Sequence, residues 1–157
     1  MKEIIKILEL KIPPPVVAIG IALLMWSVFN SASSAEFLGA THIILVVTLA
    51  GIGLSFDLLA LGGFLQAKTT INPMKPRVTT SVVTTGVYSV TRNPMYLGLT
   101  FSLGAWATYL WLSWALFGPV FFVAYITRFQ ILPEERILSA RFGKEYEAYM
   151  KKVRRWL

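Results

Sequence analysis

The sequence predicts an all-α, polytopic membrane bundle of about four transmembrane helices, two of them a helical hairpin, with an interfacial C-terminal helix on the cytoplasmic side. Three observations predict it. Hydrophobic residues make up 55% of the 157, with a mean hydropathy of +0.63, which is too apolar for an ordinary soluble domain. Charge-free runs of spanning length recur along the chain. All fifteen Lys and Arg fall in three blocks, Lys2 to Lys11, Lys68 to Arg92 and Arg128 to Arg155, separated by segments able to cross a bilayer, or to cross and return. The positive-inside rule produces this distribution. A nucleic-acid surface is the poorer explanation of the net charge of +7, so no nucleic-acid partner is expected. With no cysteine and one histidine, thiolate and histidine-rich metal centres are not expected either.

Met1 to Lys11 reads as a short amphipathic lead at the cytoplasmic interface, with Ile4, Ile5, Leu8 and Ile12 at helical spacing. Pro13-Pro14-Pro15 breaks it, and Val16 to Phe29 follows without a charge; counted from Ile12 it is just long enough to span. A basic start, an apolar centre and the small residues Ser31 to Ala35 also imitate a secretory signal, and the segment is read here as an uncleaved span. The second span runs from about Leu38 to Leu61, with His42 near its outer end and Asp57 deep toward its inner end. Asp57 is the one ionisable group in a membrane segment that chemistry makes conspicuous: it is either half of a structural ion pair or part of a substrate or cofactor site. His42 reads as an interface residue. Gly51, Gly53, Gly62 and Gly63 would let another helix approach closely.

Tyr96 to Thr127 is free of charge and as a single helix would extend roughly 48 Å, well beyond a ~30 Å hydrocarbon core. It must fold back, with the reversal between Trp111 and Pro119, where tryptophans and a Gly-Pro pair supply anchors and a break. Both termini then lie in the cytoplasm. After the hairpin, Leu132-Pro133-Glu134-Glu135 reads as a helix start, with proline in the first turn and two acids at the positive end of the dipole. That helix continues toward Met150, with Ile137, Leu138, Phe142, Tyr146 and Tyr149 on one face. No linker marks a second domain, so residues 1–157 are read as one membrane domain.

Chemistry concentrates in Gly86 to Gly98, a polar, turn-rich stretch before the apolar run. Arg92 and Asn93 offer several donors, Pro94 pushes Asn93 toward extended backbone, and Tyr96 brings a ring with a polar tip to the membrane boundary. Three ordered pieces carry a resemblance. They are Lys68-Thr69-Thr70-Ile71-Asn72-Pro73 with Val83-Thr84-Thr85-Gly86-Val87-Tyr88, then Thr91-Arg92-Asn93-Pro94-Met95-Tyr96-Leu97-Gly98, then Glu134-Glu135-Arg136-Ile137-Leu138 with Phe142-Gly143-Lys144-Glu145-Tyr146 and Val153-Arg154-Arg155-Trp156. Together they resemble the isoprenylcysteine carboxyl methyltransferase and phospholipid methyltransferase superfamily of integral membrane enzymes, in its short bacterial form. Asn93 stands where eukaryotic members carry His.

The resemblance implies methyl transfer from S-adenosylmethionine, held in a cytoplasm-facing pocket between the Arg-Asn-Pro loop and the start of the last helix. The implied cofactor-binding residues are Tyr88, Arg92, Asn93, Tyr96, Leu97, Glu134 and Glu135, with Glu134, Arg128 and Arg92 as the catalytic set and no metal. The acceptor would be lipophilic and drawn from the bilayer: a prenylated cysteine carboxylate, a phospholipid amine, a small thiol or another amphiphile. The residue chemistry agrees with this reading. A sulfonium with an amino-acid end and an adenine wants a carboxylate, a guanidinium and aromatic faces together, and in-line methyl displacement needs orientation and exclusion of water more than an acid or base. Two other readings fit parts of the pattern: a membrane reductase of the sterol-reductase type using a nicotinamide cofactor, whose Arg-x-Pro-x-Tyr loop is similar, and a non-catalytic membrane scaffold or small transporter.

Overall fold

The computed structural model describes residues 9–31, 39–67, 81–111 and 113–157. In chain order these form α1 (Pro14–Ser31), α2 (Ala40–Gln66), a 3-10 turn (Gly86–Ser89), α3 (Pro94–Leu110), a second 3-10 turn (Ser113–Leu116), α4 (Phe117–Ile126), a π-helical turn (Thr127–Ile131), α5 (Leu132–Phe142) and α6 (Lys144–Lys152). Most of the lead and the Lys68 to Pro73 piece lie outside the described residues. All regular elements among the described residues are helical, as expected. Two stretches, Ala40–Ala67 and Trp114–Phe142, are long and apolar enough to cross a membrane, and Pro14–Val28 is a shorter apolar helix.

The prolines set two helix starts. α1 begins inside the triple proline and α3 begins at Pro94, positions where a missing N–H loses nothing. α3 ends where Trp111 turns left-handed at φ +51° and donates its N–H to Thr108 O. The chain reverses through the second 3-10 turn, inside the interval the sequence predicts. Gly118-Pro119 does not make the break but sits in the first turn of α4. There a Cβ on Gly118 would meet Met25 Sδ at 2.5 Å, so this glycine brings α4 against α1.

α3 is the central helix, touching α2 on one side and α1 and α4 on the other. Its contact with α2 is backbone to backbone: a Cβ on Gly53 would lie 2.8 Å from Gly98 O, and one on Gly98 would lie 2.9 Å from Gly53 O. Glycines facing each other let two helices close to van der Waals contact where lipid gives no hydrophobic drive. On the opposite side Ile21 and Met25 of α1, Leu103, Ala107 and Leu110 of α3, and Phe122 and Ile126 of α4 form the main core, with Trp106 Nε1 donating to Ala22 O at 3.1 Å. The outward faces are apolar and bare, with Leu24 67%, Val47 65% and Phe117 72% exposed. Such a continuous apolar exterior is stable in lipid and a liability in water.

Two expectations about the last third are corrected. Leu132-Pro133-Glu134-Glu135 does not begin a helix, because α4 runs through the π turn into α5 without a break. Pro133 has no N–H for the carbonyl four residues back, Phe129 O, and that carbonyl instead accepts Leu10 N–H at 3.0 Å. A helix tolerates an interior proline when another group satisfies the freed carbonyl and the turn widens. Nor is the helix continuous to Met150: Gly143, at φ +52°, separates α5 from α6, a left-handed conformation that glycine adopts freely. The turn folds α6 back so that Tyr146, Tyr149 and Val153 pack with Val82, Leu138, Phe142 and Met150 in a second small core.

Candidate active site

The Gly86 to Asn93 loop is irregular, so its backbone groups need partners, and the C-terminal tail supplies them. Arg92 N–H donates to Arg154 O at 3.0 Å, wholly buried Thr91 donates Oγ1–H to Arg155 O at 3.2 Å, and Asn93 Nδ2 donates to the same carbonyl at 2.8 Å. From the other side, Tyr149 Oη donates to Tyr88 O at 2.7 Å. Asn93 therefore spends its amide on the tail.

The Arg92 guanidinium, 9% exposed, donates Nη2 to Glu135 Oε1 at 2.7 Å and Nη1 to Met150 O at 3.1 Å. Glu135 also receives a two-pronged bond from Arg155, Nε at 3.0 Å and Nη2 at 2.7 Å. One carboxylate thus holds two guanidinia, an arrangement whose planar forks favour bidentate geometry. The Glu135 hydrogen bond pushes the Arg155 pKa further above its usual range. Arg92 Nε is left buried without a hydrogen-bond partner.

Glu134, one residue away, is treated differently. Its Oε1 accepts from Tyr96 Oη at 2.7 Å and from Gln130 Nε2 at 2.8 Å. Both donors are neutral, and Glu134 makes no ion pair among the described residues. Gln130 and Glu134 are one turn apart across the π segment, and Tyr96 and Gln130 are 7% and 2% exposed. The phenols of Tyr88, Tyr146 and Tyr149 are all pushed up, chiefly by burial, and stay protonated. This is a desolvated cluster of tyrosines around one carboxylate without an ion pair and one orphaned guanidinium N–H.

Of the predicted residues, Tyr88, Arg92, Asn93, Tyr96, Glu134 and Glu135 meet here, and buried Leu97 lies beside them on α3. Arg128 does not join them. Its guanidinium reaches Glu9 Oε1 at 2.8 Å, and Glu9 also takes Arg136. Asp57 makes no ion pair among the described residues and rests against Gly98. His42, read as an interface residue, is buried within the protein near the start of α2, its ring 4.2 Å from that of Trp111. Sequence reasoning missed Gln130, Thr91 and Arg155. A glutamine in an apolar run four residues before Glu134 was the available signal for Gln130.

A family model described as phospholipid methyltransferase matches residues 41–145, which contain Arg92, Tyr96 and Glu134. The chain belongs to the phospholipid methyltransferase family. Membership implies a membrane methyltransferase, in keeping with the apolar exterior of the helices. Over 63 residues the chain is 48% identical to an uncharacterised protein of Haemophilus influenzae, a match that takes in 40% of this chain and 100% of that protein. No solved structure matches it.

Proposed function

We propose that this family member is a single-domain enzyme crossing the bilayer four times, termini in the cytoplasm, that uses S-adenosylmethionine to methylate a lipophilic acceptor from the membrane. The observation that carries the reading is the Tyr96–Glu134 contact of 2.7 Å, which joins the first turn of α3, just after the Arg92 loop, to α5. The residues fit the donor's chemistry. An uncompensated, buried carboxylate at Glu134 suits a cationic group, and the free Arg92 Nε suits a carboxylate, with the Tyr88 and Tyr96 rings alongside.

When bound, S-adenosylmethionine supplies an electrophilic methyl on a positive sulfur. Glu134 is oriented by Tyr96 and Gln130, Arg92 is held by Glu135 and Met150 O, and the tyrosines exclude water. Such fixed charges in a dry site act more strongly than in solution. The test is a calorimetric titration of S-adenosylmethionine into the detergent-solubilised chain and its Glu134→Gln variant. Wild type should bind and the variant bind at least about tenfold more weakly, the scale on which losing one desolvated charge acts. Equal affinities, or no binding by the wild type, would overturn the reading.

A further inference from the structure

Glu9 and Leu10 dock on the π turn, where the helix running from α4 into α5 leaves regular hydrogen bonding: Leu132 N–H donates to Thr127 O, five residues back. Three consecutive residues of this turn have separate tasks. Arg128 Nη1 donates to Glu9 Oε1 at 2.8 Å, Phe129 O accepts Leu10 N–H at 3.0 Å, and Gln130 Nε2 donates to Glu134 Oε1 at 2.8 Å. The second Glu9 oxygen takes Arg136, so one carboxylate bridges two positions that bracket Gln130 and Glu134. The Glu9 side chain is 12% exposed although the arginines are 41% and 62% exposed, so its charge is turned inward onto the helix. Leu10 holds φ +56°, a left-handed backbone that residues with a Cβ keep only where surrounding contacts over-determine it.

We propose that Glu9 is a positioning residue of the candidate active site: with Leu10 N–H it fixes the π turn, and the turn, through Gln130, aims the Glu134 carboxylate at the cation of the bound donor. The cation rests on the methyltransferase reading; the aiming of Glu134 by the lead does not. Pro133 has no N–H for Phe129 O, so without Leu10 that carbonyl would turn toward water and draw the wide turn with it. Gln130 is the next residue and 2% exposed, which leaves its amide little room to re-aim. A small rotation of the turn swings it off Glu134 Oε1 and leaves Tyr96 Oη to hold that oxygen. Misplacing a group in a site by about 1 Å is costly even when the change that moves it lies far from the chemistry. Arg128 thus serves the site at second hand, by holding Glu9.

The experiment uses the full chain and its variants in dodecyl maltoside. Glu134→Gln identifies the Glu134 carboxyl band in the infrared spectrum of the donor-free protein by its loss. Gln130→Leu should shift that band, and Glu9→Gln, which keeps shape and removes charge, should shift it in the same direction. In calorimetry, S-adenosylmethionine affinity should fall at least about fivefold in Glu9→Gln and in Gln130→Leu. The double variant should stay within about twofold of Gln130→Leu alone, the non-additivity expected of residues that act through one element. Trp106→Phe, which removes the bond to Ala22 O in the main core, controls for a general loss of stability and should leave band and affinity as in wild type. An unmoved band in Glu9→Gln, additive losses in the double variant, or an equal loss in Trp106→Phe overturns the proposal. Should wild type bind no S-adenosylmethionine, the methyltransferase reading falls, and the infrared arm alone decides whether Glu9 positions Glu134.

Discussion

Arg92 and Glu135, 43 residues apart in sequence, meet at 2.7 Å with both side chains nearly buried. The pair joins the loop before α3 to the first turn of α5, and Arg155 completes it from the tail. Removing the carboxylate strands a buried guanidinium, so Glu135→Ala should lower stability by about 3 kcal/mol, the low end for breaking a buried pair, because Arg155 can turn to solvent. Fluorescence-monitored unfolding in detergent reads this. A change below about 0.5 kcal/mol would mean the contact is no stronger than a surface ion pair.

The tail matters to the same loop through backbone carbonyls. A chain ending at Lys152 loses Arg154 O and Arg155 O as partners of Thr91, Arg92 and Asn93, and loses the Trp156 Nε1 donation to Thr127 Oγ1 at 3.2 Å. Orphaned loop groups then open toward water. Trypsin should cut after Arg92 much faster in the truncated chain, and S-adenosylmethionine binding should be lost, while far-ultraviolet circular dichroism stays close to that of the full chain. Equal cleavage rates would show that the loop holds its own conformation.

What was legible in the sequence and what was not divides along physical lines. The hairpin between Tyr96 and Thr127 follows from a run too long to cross once, and the loop and Glu134 were marked by polar residues at membrane boundaries, where polar side chains need a reason. Pro133 misled because sequence alone offers proline one comfortable place in a helix, the first turn. Its accommodation needs Leu10, more than a hundred residues away, to take Phe129 O. Arg128 misled for a similar reason: a basic residue next to a motif says nothing of which face it takes, and Glu9 decides that. Spacing reveals faces and ends of helices, whereas partners distant in sequence have to be seen.

The α2–α3 contact gives a sharp contrast among glycines. Gly98→Ala would drive a methyl into the Asp57 carboxylate and against Gly53 O, whereas at Gly104, on the same helix, nothing lies within 4 Å of an added Cβ. Gly98→Ala should destabilise by about 1–3 kcal/mol through overpacking. Gly104→Ala should be neutral or stabilising by up to about 1 kcal/mol from helix propensity. Thermal unfolding of the two variants side by side checks the pair, and equal midpoints would mean the helices are not in backbone contact at Gly98.

The clamp on the lead should respond to acid. Glu9 accepts from Arg128 and from Arg136, and the Arg128 hydrogen bond, followed by the charge and hydrogen bond of Arg136, holds its carboxyl below the ordinary 4.5, against the opposing effect of burial. A carboxyl depressed in the folded state binds its proton more weakly there than in the unfolded chain. Its stabilisation is therefore complete above 4.5 and is lost as pH falls through the lower folded value. Glu9→Gln should accordingly be less stable than wild type by a constant margin at neutral and mildly acidic pH, and the margin should shrink below about pH 4.5. Unfolding midpoints of both proteins from pH 7 to 3 measure it. A margin unchanged across that range would show that Glu9 contributes through packing, with its charge irrelevant to how residues 9–12 hold the π turn.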